Sequence, residues 1–186
     1  ADFKNRDVAD LAKTMAKNQI TPERLDWYAL ARHAEERNAH IASINEGMPD
    51  GGSGMTTQQA HDLLAGKPVT MQVELTDKHG RVYKESVDVE GFSPAEIQRL
   101  APVMQQLDAM TAKSRQLMKE YGLESADAVD AWSEQYKHYV PLAGKAGIDE
   151  HSGTSGVQSG FSVRGGQKKA AGRSSVAPNI TEQVVR

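Results

Sequence analysis

The chain has no cysteine, which excludes disulfides and thiolate metal sites and leaves the redox compartment open. Aromatic residues are scarce, 5% beside a hydrophobic fraction of 38%, so a modest core is expected, with other segments that cannot bury much surface by themselves. No apolar run approaches the ~18 residues of a membrane span, and no signal-peptide pattern is visible. A strong excess of either charge is also missing. The formal net charge is −3 over 186 residues, and bulk charge therefore steers the protein toward neither nucleic acid nor membrane. Internal repeats are absent. A start at Ala1 and an end at Val185-Arg186 read as a piece of a longer polypeptide.

What is present is organised around Thr21 to Met55, a long helix that runs into a glycine turn. Thr21 is a good N-cap and Pro22 suits the first helical position. From Glu23 to about Asn45 no glycine or proline interrupts, and Trp27, Tyr28, Ala31, Ala34, Ile41 and Ile44 form an apolar stripe. Residues 5–18 predict a preceding helix, and the short Gln19-Ile20 link predicts an αα-hairpin. Thr56 and Gln59 predict a capping box for a third helix, closed by Gly66. Alternation from Val69 to Leu75, a turn at Asp77-Lys78-His79-Gly80 and strand-like composition to Val89 predict a β-hairpin over 69–89. Such a hairpin is marginal alone and needs the helices or another chain. Ser93-Pro94-Ala95-Glu96 predicts a capping box and a helix to about Tyr121, taken as an antiparallel partner for the long helix. Ser125 caps a last helix ending near Tyr136. The fold class expected is mainly α: about five helices with an inserted β-hairpin in a domain spanning 1–142. An extended Gly/Ser-rich basic tail over 143–186 follows, ordered only where something holds it.

Several clusters carry candidate chemistry. His33, Glu36, Arg37 and His40 project from one helix face. Two imidazoles and a carboxylate suit a transition metal, but Glu36 to His40 is one residue too long for the Glu-x-x-His of di-iron bundles and does not fit a His-Glu-x-x-His helix. The alternative is a polar face of ion pairs. Gly51-Gly52-Ser53-Gly54 could cradle a phosphate before the third helix, or be a tight turn using positive φ. Gly66-Lys67 lacks the Ser or Thr of a phosphate loop, because Pro68 follows. His138, between Tyr136 and Tyr139, is either an acid/base group or a helix end. Arg164, Lys168, Lys169 and Arg173, with Phe161 as a stacking group, could bind single-stranded nucleic acid. No nucleophile set can be assembled from spacing, and no catalytic residue, cofactor or metal is assigned.

Tyr28-Ala29-Leu30-Ala31-Arg32-His33-Ala34 with Glu36-Arg37-Asn38, Pro49 to Met55, Tyr139-Val140-Pro141-Leu142, and Gly172-Arg173-Ser174-Ser175 with Asn179 occur in that order. Together they resemble a helical module of the large internal virion (ejection) and polyvalent proteins of tailed phages; the 67–90 hairpin is not among the parts that carry the resemblance. The resemblance implies a segment of a protein packaged in the virion and delivered with the DNA to the host envelope or cytoplasm. It also implies partners among other virion proteins or other domains of the same polypeptide, with a homo-oligomer compatible. The expected function is a structural and interaction module. Its face is His33, Glu36, Arg37 and His40 with Asp50 and the 50–54 turn, holding the Tyr139–Leu142 segment and the 164–173 tail. The alternatives are nucleic-acid binding through the basic tail, which makes DNA the partner, and, more weakly, a metal-dependent enzyme fragment.

Overall fold

Seven elements follow in chain order: α1 (Asp2–Lys17), α2 (Pro22–Ile44), α3 (Thr57–Leu64), β1 (Val69–Thr76), β2 (Val82–Val89), α4 (Pro94–Glu120) and α5 (Ala126–Gln135). The computed structural model describes residues 2–77, 79–138 and 176. The chain is mainly α with one antiparallel hairpin, as its patterning predicts. Tyr139, the 140–142 segment and the tail, apart from Val176, lie outside the described residues.

The helix starts follow from their caps. Thr21 accepts a bond from the Arg24 amide, and Thr56 and Gln59 make the full reciprocal box. Gly66 closes α3 at φ 84°. At α4 the expected box forms only in half. Ser93 accepts the Glu96 amide at 3.2 Å, but the Glu96 carboxylate turns to Arg24, at 2.7 Å and 2.8 Å through Nε and NH2. A bidentate charged pair outcompetes a single bond to the cap amide. Arg24 also donates to the Glu90 and Gly91 carbonyls and stacks 4.0 Å from the centre of the Phe92 ring. The start of α2 is thereby tied to the β2–α4 link, and these bonds hold the Glu96 carboxyl below its usual range.

The helix packing corrects two expectations. α1 packs chiefly on α4 rather than lying along α2 as a hairpin. A short link limits distance and not direction, and here Gln19, at φ 55°, redirects the chain. Nor is α4 antiparallel to α2. Arg24 pairs with Glu96 and Arg32 with Asp108, so the contacts advance along both helices in the same sense. The β-hairpin between them returns the chain to the end of α2 where α2 began.

The core joins Leu25, Leu30 and Ala34 of α2, Leu63 of α3, Met71 and Val73 of β1, Phe92, and Leu100, Val103 and Leu107 of α4. The stripe on α2 stops short of its predicted end, because Ile44 is exposed. The hairpin register runs from Val69 opposite Val89 to Thr76 opposite Val82. Its β1 side faces the core, whereas β2 is buried only at Val89 and exposes Val82 and Tyr83. The chain then crosses itself: Gly91 lies directly against the backbone of Gly66 and Lys67, and the Phe92 amide donates to the Leu63 carbonyl at 2.8 Å. Among the described residues no helix is long and apolar enough to cross a membrane.

Candidate functional site

One face of α2 holds the end of α5. Tyr136 is buried with its ring edge-on to two imidazoles, 5.3 Å from His33 and 5.7 Å from His40 between centroids. Its hydroxyl accepts from Arg37 at 3.2 Å. The Glu36 carboxylate accepts the His138 backbone N–H at 3.1 Å, and Gln135 lies in hydrogen-bond contact with His40 Nδ1. Arg32, one turn before Glu36, donates to Asp108 on α4 and to His138 Nδ1 at 2.7 Å. The residues that the helical spacing singled out (His33, Glu36, Arg37, His40) thus do converge, and they converge on 135–138.

His33 is 2% exposed. Burial first, then the positive fields of Arg37, His138 and Arg115, push its pKa down to about 3. Burial and Arg37 lower His40 as well. His33 is therefore a neutral imidazole at pH 7, although Glu36 stands 3.9 Å from its Nδ1 and favours the protonated form. Its folded pKa lies below the ordinary 6.5, so the unfolded chain binds the extra proton between these values. The associated stability is complete above pH 6.5 and is lost as the pH falls toward 3. Urea titrations at pH 7 and pH 5 are expected to differ by about 1–2 kcal/mol through this group. The His33→Gln variant is expected to flatten that difference, and an unchanged slope would remove His33 as its source.

Asp50 stands apart from this face, in a second polar cluster built on Asn38. Asn38 is 2% exposed, in mid-helix. Its Oδ1 accepts the Ser53 amide at 2.9 Å, and its Nδ2 donates to Asp50 Oδ1 at 2.9 Å and the Met55 carbonyl at 2.9 Å. Asp50 also accepts from the Gly51 amide and from the amide and hydroxyl of Thr57. These bonds keep its carboxyl low against an opposing burial effect. Of the two readings of the glycine run, the tight turn holds: Gly51 and Gly54 take φ 79° and 95°. The Asp50 carboxylate takes the Thr57 amide and the Thr56 hydroxyl takes the Gln59 amide, so side chains of this chain fill donors that a phosphate would have used.

The third feature is the outer edge of β1. Val176 sits in a parallel bridge with Val73. Its N–H donates to the Gln72 carbonyl at 2.9 Å, its carbonyl accepts from Glu74 at 3.4 Å, and its side chain is buried. The 164–173 stretch expected on the α2 face lies outside the described residues, and Val176, beyond it, lies on a strand edge. Phe161, Arg164, Lys168, Lys169 and Arg173 lie outside the described residues. Among the described residues no three imidazole or carboxylate groups converge to hold a metal ion. Sequence reasoning missed Arg32, Asn38, Ser53 and the β1 edge as organising groups. For Asn38 the signal was available: an amide on the apolar side of a long helix needs partners, and the nearby turn is rich in them. Compared with known proteins, the chain matches no family model, no curated protein and no solved structure.

Proposed function

We propose that this chain is a structural and interaction module of a large tailed-phage virion protein, carried in the particle and passed into the host with the DNA. The observation that supports the structural part is the engagement of the α2 face. Glu36, Arg37 and His40, three of the four side chains best suited to chemistry by type and spacing, hold residues 135–138 of the same chain, and Arg32 joins them. A charged face used this way fixes the path of the polypeptide from the end of α5 to His138. The ordered resemblance from Tyr28 to Asn179 supports the virion part. On this reading its partners are other virion proteins or neighbouring domains of the parent polypeptide.

Quantitative mass spectrometry of purified particles of the encoding phage tests the reading. Peptides from α2 and α4 are expected at a fixed ratio to the capsid protein, and in the host envelope or cytoplasm soon after infection when new synthesis is blocked. Abundant peptide in infected cells with none in purified particles overturns it.

A further inference from the structure

We propose that the outer edge of β1 is a strand-acceptor site whose partner is the Val176 segment of a second copy of this chain, exchanged for the segment in cis. A two-stranded sheet leaves one edge of each strand without a ladder partner. On β1 the residues whose backbone groups face outward are Thr70, Gln72 and Glu74. The Thr70 carbonyl accepts from Gln59 of α3 at 3.1 Å, which closes the edge at that end. Gln72 and Glu74 are the acceptor and donor that Val176 satisfies. The site is therefore bounded, and it selects by shape as well as by hydrogen bonding: the Val176 side chain is buried beside Val73, which belongs to the core.

The sequence of the segment fits a short, bounded contact. A parallel ladder would take its next donor from position 178, where the chain has proline and hence no N–H. A single bridge of two backbone bonds and one buried side chain is small enough to open and re-form. The connection does not force it to be intramolecular either. Residues 139–175 separate the end of the described helical body from Val176, and at ~3.3–3.6 Å per residue that length spans at most about 130 Å. The same contact made by a neighbouring copy is chemically identical, which is the condition for exchange.

The absence of cysteine makes the test direct. An acceptor carrying Val73→Cys with Val176→Asp has its own segment disabled, because a carboxylate cannot enter the apolar site. A donor carries Val176→Cys alone. Mixed under mild oxidation, the pair is expected to form a heterodisulfide, since facing strand positions meet the distance requirement. The expected yield is about tenfold above that of a control acceptor carrying Ser43→Cys with Val176→Asp, in which the thiol sits on exposed α2 surface. A yield equal to the control, from an acceptor whose circular dichroism matches the unmodified chain, overturns the proposal. If that acceptor loses its helical spectrum, sedimentation equilibrium decides. The unmodified chain is expected to self-associate as concentration rises while V176D stays monomeric, and a chain that remains monomeric into the millimolar range overturns exchange. Either failure leaves the virion reading standing, since that reading does not depend on contact between copies.

Discussion

Replacing Gly91 with alanine is expected to cost about 4 kcal/mol or more. A Cβ at this position would stand 2.1 Å from the Gly66 carbonyl carbon, 2.4 Å from the Lys67 nitrogen and 2.5 Å from the Gly66 oxygen. All three are backbone atoms at the end of α3, so no rotamer change relieves the overlap. Moving the β2–α4 link away would break the bond from the Phe92 amide to the Leu63 carbonyl and lift Phe92 from the core. It would also shift the two carbonyls that Arg24 grips. Gly80→Ala is the control. Gly80 takes φ 81° in the hairpin turn with open space around it, so alanine there meets only backbone strain of roughly 1–2 kcal/mol. Urea denaturation of both variants separates the two causes, and a Gly91→Ala protein as stable as Gly80→Ala would refute the close crossing.

The second large effect is expected at Asn38. Asn38→Ala removes the partner of the buried Ser53 amide and one of the two donors to the Met55 carbonyl, which keeps the Ser53 hydroxyl; an unsatisfied buried group costs about 1–3 kcal/mol. A loss on the order of 2 kcal/mol follows, with partial relief if water enters. Asp50→Ala, which removes an exposed member of the same cluster, is expected to cost only about 1 kcal/mol, the scale of a lost cap. If the two variants melt alike, the network is held from the loop and not from the helix. Hydrogen exchange at the Ser53 amide gives an independent readout, with protection expected to fall in Asn38→Ala.

Local rules made the elements legible, and they did so where the determinant lies within a few residues. The caps at Thr21, Thr56 and Ser125, the glycine at 66 and the alternation of 69–75 each depend on neighbours in sequence, and each predicted its element. The packing of those elements depends on choices made across the fold. Glu96 suits a capping box, yet Arg24, 72 positions away, offers a stronger partner. Periodicity gave α1 and α4 apolar faces without saying which groove would receive them, so α1 was placed on α2 and α4 given the wrong direction. The α2 polar face was visible from its 3.6-residue spacing, but its partner Tyr136 was not. Tyrosine at a helix end carries no mark of a distant imidazole pair. The β1 edge was invisible for a related reason: its ligand is one valine in a stretch whose composition predicts no strand.

α4 is anchored over only part of its length. Its buried residues are Leu100, Val103, Met104 and Leu107, and the later turns carry the exposed Met118 and lead to the exposed Tyr121 and Leu123. Beyond Leu107 the fastenings are mostly polar, Asp108 on Arg32 and Lys113 on Asp7, until Tyr136 returns the chain to the α2 face. The polypeptide is thus fastened in two stages, a hydrocarbon root and a titratable bolt. Acid acts on that second fastening, as the pH falls toward 3 and His33 gains its proton, and not on the root, which holds no titratable group.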